Sequence, residues 1–150
     1  MNSLPECFRN LPKQRLDPDH VLIQEGVPCR TMYILELGAV EILKGSMRIT
    51  TIDTPGSVFG EISTLLNEAP IGSVRVLEPT LLSVINDPRT FLIQNPEVAL
   101  YVATVLARRV KAVTEFLKDA REGAAAAPTR ADMDDMLDSF AKRVFDLPRF

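Results

Sequence analysis

The stretch of this chain whose residues could do chemistry is Pro55-Gly56-Ser57-Val58-Phe59-Gly60-Glu61-Ile62-Ser63-Thr64-Leu65-Leu66. It reads as a strand running into one or two turns of helix, with glycine at the junction. Such a junction leaves backbone amides facing outward, the arrangement by which a helix N-terminus holds phosphate. Other chemistries lack their residues. His20 is the single histidine, so no cluster of His with Asp or Glu at ligand spacing can be assembled into a catalytic metal site. Placed just before a strand, His20 reads as a turn or surface residue. Cys29 follows Pro28, and a reactive or haem-ligating role would need a basic neighbour or second ligand, for which only Arg30 stands near. Neither a catalytic residue, a metal nor a cofactor is expected.

The elements that must position this stretch are strands before it and helices after it. From Val21 to Ile85 the chain alternates short apolar runs with turn residues: Val21-Leu22-Ile23, Met32 to Leu37, Val40 to Leu43 and Met47 to Ile52, broken at Glu25-Gly26, Gly38, Lys44-Gly45-Ser46 and Thr54-Pro55-Gly56. Many short strands spaced by Gly and Pro argue for a sandwich or roll. After Asp87-Pro88 a helical period takes over. Asn95 is an N-cap, Pro96 the first helical residue and Glu97 a favourable charge at the positive end of the dipole. Ala99, Val102, Leu106, Val110, Val113, Leu117 and Ala120 then recur at a mean of about 3.5 residues, the period of a coiled-coil seam. The seam points to a homodimer; the alternative is one long helix lying on its own core. Val98, Val105 and Phe116 form a second stripe for packing on the body of the domain.

Gly123 to Pro128, with Ala124 to Ala127 between, reads as a helix end and a small-residue linker. Thr129 then caps a further helix with Met133, Met136, Leu137, Phe140 and Val144 on one face, Asp132, Asp134 and Asp135 early, and Lys142 and Arg143 late. The expected organisation is a short lead at 1–18, a roll at 19–94, a long helix at 95–122, a linker at 123–128 and an amphipathic helix at 129–150.

Composition bounds the partners. A chain of 150 residues with 46% hydrophobic and 25% charged residues supports one domain with a real core. Its net charge of −3, with no Lys/Arg run longer than Arg108-Arg109, disfavours direct nucleic-acid binding. Cys7 and Cys29 read as free thiols of a reducing cytoplasm, and Met1 to Asn10 has no secretion-signal pattern. No apolar run approaches the roughly 18 to 20 residues of a membrane span.

Taken with its surroundings, the 55–66 stretch resembles the cyclic-nucleotide-binding family, whose phosphate-binding cassette runs Phe-Gly-Glu, a short apolar helix, Pro-Arg and a small-residue strand. Here Phe59-Gly60-Glu61 matches, as do the Gly26 turn, Tyr33-Ile34-Leu35 leading to Gly38 and Val40, Pro55-Gly56, and Val74-Arg75. Asn95 through Val110 is similar to the long C-helix of the Crp-Fnr type regulators. The resemblance runs from about Asp19 to Ala120. It implies a double-stranded β-helix, a jelly-roll-like β-roll, followed by a long dimerisation helix, with a short extra helix after it. It further implies that Glu61 accepts from a ribose hydroxyl, as an acceptor-only carboxylate can, that Gly60, Ile62 and Ser63 present amides, and that Ser73 offers a hydroxyl to the phosphate. Phe59, Pro70, Ile71 and Gly72 complete the expected site, and Thr114 falls where a polar adenine contact belongs or else is an exposed helix residue. Cyclic AMP or cyclic GMP is the candidate ligand.

Three departures matter. The arginine that neutralises the cyclic phosphate is replaced by Pro70 or Ile71, depending on alignment. Its hydrogen bonds are each worth about 1.5 to 3 kcal/mol, so binding should weaken by about one to a few powers of ten. Arg75 substitutes for it if the strand turns inward, or faces water if not. Met1 to Leu16 is short and Pro-interrupted where a helical bundle usually stands, and after Ala120 no winged helix-turn-helix is expected. The leading expectation is a stand-alone sensor that signals to a protein partner. The alternative is a ligand-independent dimeric interaction module on the same fold.

Overall fold

Among residues 6–123 and 129–145, which the computed structural model describes, the turn residues cut the apolar runs into eight strands in two four-stranded antiparallel sheets. One sheet orders β1 (Lys13–Leu16), β8 (Thr80–Ile85), β3 (Met32–Leu37) and β6 (Val58–Phe59). The other orders β2 (Val21–Ile23), β7 (Ser73–Val76), β4 (Val40–Lys44) and β5 (Met47–Ile52). Between them lies a core of Leu16, Leu35, Phe59 and Leu82 from the first sheet and Ile23, Val40, Ile52, Val74 and Val76 from the second. The first sheet is also covered on its back, where Met32, Ile34, Val58 and Ile85 pack against Phe8, Leu92, Val98 and Val102. That two-sided burial explains why Met32 to Leu35 of β3 read as a continuous apolar run, with Glu36 and the exposed Leu37 at its end. The jelly-roll-like β-roll with its long helix is therefore the observed fold.

Four helices complete it: α1 (Glu61–Leu66), α2 (Pro88–Gln94), α3 (Pro96–Glu122) and α4 (Arg130–Phe145). Asn95 occupies the N-cap of α3, but its side chain donates backward to the Phe91 carbonyl at 2.8 Å instead of capping. Thr129 caps α4 as expected, in a reciprocal box with Asp132: the Asp132 amide donates to Thr129 Oγ1 at 3.1 Å and the Thr129 amide to Asp132 Oδ2 at 3.0 Å. The Thr129 hydroxyl, which also donates to Asp132 Oδ2, and then the Thr129 amide hold the Asp132 carboxyl below its ordinary value. α4 lies against α3 and β5, with Phe140 stacked on Phe116 at 4.0 Å between ring centroids.

Two expectations about the elements change. The roll begins earlier than residue 19, because β1 lies inside the supposed lead and pairs along β8 from Lys13↔Ser83 to Leu16↔Thr80. The seam on α3 divides. Val102 points into the protein's own core, with Ala99 and Leu106 packed beside it, whereas Val110, Val113 and Leu117 are 65%, 38% and 61% exposed. The face that docks on the roll is Val98, Val102, Val105, Arg109 and Ala112. Burying each of its valines stabilises the docking by about 1.5 to 3 kcal/mol. Of the expected linker only Gly123 is among the described residues, and it ends α3 with its amide on the Asp119 carbonyl at 2.9 Å. Residues 146–150, assigned to the last helix, also lie outside them.

Candidate functional site

The cassette is set by one conformational requirement. Gly60 has φ 84°, and a Cβ there would lie 2.5 Å from the Thr31 carbonyl oxygen, so the step from β6 into α1 admits glycine alone. Gly60 and the first residues of α1, whose amides have no intrahelical acceptor, line a hollow of about 310 Å³ that Arg109 of α3 also lines. Phe59, Gly60, Glu61, Ile62 and Ser63 line it from the cassette, and Pro70, Ile71 and Gly72 from the approach to β7. The structure therefore brings eight of the sequence-expected residues around one cavity.

Two others are elsewhere. The Ser73 hydroxyl accepts from the Glu25 amide at 2.8 Å and is absent from the cavity wall, because β7 alternates and its inward residue is Val74. Thr114 is exposed and donates to the Val110 carbonyl one turn back at 2.9 Å, a local bond that keeps it on the helix surface. Arg75 does not replace the missing arginine. Its guanidinium is ion-paired to Glu41, with Nε donating to Oε1 at 2.6 Å.

The residue that sequence reasoning missed is Arg109. Its guanidinium pairs with the Glu61 carboxylate and donates to the Val58 carbonyl at 3.2 Å. Both side chains are deeply buried, at 9% and 5% exposure. A signal existed. Arg109 falls four residues after Val105 on the stripe that begins at Val98, so it is a charge within an apolar face and requires a buried partner. Glu61 is therefore not a free acceptor: Arg109 engages its Oε1.

The rest of the wall is apolar: Ile23, Ile42, Ile49, Val58 and Val74 join Phe59, Pro70 and Ile71. Among the described residues the cations on it are Arg109 and Lys44, whose Nζ sits 2.6 Å from Glu25 Oε1 and 2.8 Å from the Ile71 carbonyl. Both cations thus already face a carboxylate. α3 is tied to the turn before the cassette by Tyr101, whose hydroxyl donates to the Gly56 carbonyl at 2.7 Å. Burial pushes the Tyr101 phenol up to about 12, so it stays a donor at any physiological pH. Among the described residues no group of His, Cys, Asp and Glu could hold a metal ion, and Cys29 is a free thiol. No single helix among them is long and apolar enough to cross a membrane.

Comparison with known proteins agrees with this geometry. Residues 13–92, more than half of the chain, match the family model described as the cyclic nucleotide-binding domain. A cAMP-dependent protein kinase regulatory subunit from Yarrowia lipolytica is 29% identical over 75 residues, 50% of this chain and 20% of that protein. The chain thus matches about a fifth of that relative's length. The catabolite activator protein of Thermus thermophilus superposes with a TM-score of 0.63 at 19% identity, covering 91% of this chain and 78% of that one. The N-terminal domain of a transcriptional regulator from Streptomyces coelicolor A3(2) gives 0.54 at 22% identity, covering 73% and 81%. At these identities the structural likenesses establish the fold.

Proposed function

The chain belongs to the cyclic nucleotide-binding domain family, and we propose that it is a regulatory sensor in which a small molecule, seated against the cassette, resets the Glu61–Arg109 pair and so the docking of α3. One observation carries this reading: the carboxylate at the cavity wall is held by a cation whose backbone belongs to the long helix. A ligand that competes for Glu61 changes the stability of one arrangement of α3 relative to another, which is the differential interaction that a ligand-driven shift requires. Membership of a family described by the nucleotide it binds supports a receptor and not an enzyme.

A cyclic nucleotide or related phosphate is the first ligand to test. Its ribose hydroxyl would donate to Glu61 and its phosphate would face the amides of the first turn of α1. Without an unengaged guanidinium its affinity is expected to fall about one to a few powers of ten below that of a site with one. The second reading, a ligand-independent interaction module, is favoured by one fact: both wall cations are already paired. Calorimetry with cyclic AMP and cyclic GMP, combined with hydrogen exchange along residues 105–117, separates the two. Sensing predicts heat that vanishes in Glu61→Ala and altered exchange in α3. Silence at millimolar nucleotide, with α3 exchange the same in Glu61→Gln as in the unmodified chain, favours the module.

We place the protein in the cytoplasm as a homodimer joined through the exposed half of α3, at Val110, Val113 and Leu117, with a protein partner reading the helix. Val110→Glu and Leu117→Glu together should halve the mass in sedimentation equilibrium; an unchanged mass would remove α3 as the interface.

A further inference from the structure

The lining of the cassette cavity is chemically at odds with a phosphate. Ile23, Ile42, Ile49, Phe59, Pro70 and Val74 are among the apolar side chains that line it, and Ile62 and Ile71, which also line it, are exposed. An anion entering it would lose its hydration without meeting a cation that is not already matched by a carboxylate, the least favourable way to bury charge. Apolar walls instead reward the removal of hydrocarbon from water, roughly in proportion to the area covered. One polar opportunity remains. Glu61 stands in that wall with Oε1 held by Arg109, and a carboxylate has lone pairs for a further donor.

From this we infer that the cavity's preferred ligand is an uncharged apolar molecule of about ten to twelve carbons bearing a single hydroxyl, its hydrocarbon against the isoleucines and its hydroxyl donating to the Glu61 carboxylate. The size follows from the volume. A dry apolar cavity of about 150 Å³ takes a benzene ring, and this one is about twice that at 310 Å³. The inference rests on the sensing proposal and gives that site's ligand a chemical class. It also gives the substitutions at positions 70 and 71 a purpose, because Pro70 and Ile71 supply apolar wall where a guanidinium would have drawn in water and anions.

The test is a series of 1-alkanols from hexanol to tetradecanol, measured by displacement of the neutral fluorophore N-phenyl-1-naphthylamine from the full chain. Each added methylene should tighten binding about fourfold, up to about ten to twelve carbons, with no further gain beyond. Decanol should outbind its methyl ether severalfold, since only the hydroxyl can donate, and decyl phosphate should bind at least tenfold more weakly than decanol. Ile71→Asp should weaken decanol at least tenfold without moving the unfolding midpoint, because Ile71 is 63% exposed. Ile42→Trp, which fills the hollow, should abolish binding. Affinity that climbs without a length limit, or is indifferent to Ile71→Asp, would mean adsorption to the surface and overturns the inference. Decyl phosphate equal to decanol, or cyclic AMP tighter than every alkanol, overturns the ligand class while leaving the sensor intact. Decanol bound with the expected length limit but without any change in α3 exchange leaves the ligand class standing and overturns the sensor. A folded chain that binds neither alkanol nor nucleotide overturns both.

Discussion

Two buried glutamates meet arginines in this molecule, and they do different work. Glu41, on the outer side of the second sheet, lies beneath Arg48 and Arg75, with Nε of Arg48 at 2.8 Å and Nε of Arg75 at 2.6 Å. The three sit on the adjacent strands β5, β4 and β7, where Glu41↔Arg75 are direct cross-strand partners. Both arginines reach solvent, at 60% and 41% exposure, so this cluster laces a sheet whose register is already set by its hydrogen bonds. Glu61 and Arg109 are 48 residues apart, belong to elements that no ladder connects, and are shielded from water together. The first pairing reinforces a structure that exists without it. The second joins the long helix to the cassette, beside the apolar face that docks it.

The difference predicts unequal consequences when each is broken. Arg109→Leu leaves the Glu61 carboxylate buried without its cation and should lose about 3 to 5 kcal/mol in urea unfolding. Combining it with Glu61→Gln should recover most of that loss, since an apolar or neutral pair replaces a buried charge pair at little net penalty. If the single and double variants are equally unstable, the pair is not coupled as described. Glu41→Gln should lose about 1 to 2 kcal/mol, the smaller figure because its partners are screened by water.

Acid sharpens the contrast. Burial alone would raise the Glu41 carboxyl, but the hydrogen bonds from Arg75 and Arg48 outweigh it and hold it below its ordinary 4.5. Glu36 is lowered in the same way: burial opposes, while Lys13 and Ser83 prevail. Below 4.5 the unfolded chain therefore binds more protons at these two sites than the folded one. Their stabilisation is complete above that pH and drains away as pH falls through the lowered folded values. Glu41→Gln should flatten the acid limb of the stability curve measured by unfolding from pH 6 to 3, and an unchanged limb would remove Glu41 from the account. Arg48→Ala, at the most exposed partner, should change stability by less than about 0.5 kcal/mol.

Much of the scaffold was legible because its signals are local. Gly60 had to be glycine for the turn, Pro96 opens α3, Gly123 ends it, and Thr129 starts α4. Short apolar runs between turn residues marked most of the strands. The apolar stripes of α3 were visible too, but not their assignments. Positions 99, 102 and 106 satisfy a coiled-coil period and also a docking face, since both place apolar residues three and four apart, and only the roll beneath decided that Val102 faces inward. β1 was missed because Lys-Gln-Arg-Leu carries little strand propensity of its own; its place comes from pairing with β8. Ser73 was expected at the phosphate, whereas it is its neighbour Val74 that lines the cavity, a difference of one residue that reverses the face of a strand.

What the order of amino acids settled by itself is the class of fold, the cassette at Phe59-Gly60-Glu61 and the absence of an arginine at positions 70 and 71, because each rests on residue type or on neighbours within a few positions. What only the folded molecule decided is the partner of Glu61, the engagement of Lys44 and the apolar character of a cavity to which β2, β4, β5, β6 and β7 all contribute side chains. Those depend on strand register and on the angle at which α3 comes to rest, and contacts between residues tens of positions apart are written in no single stretch of the chain.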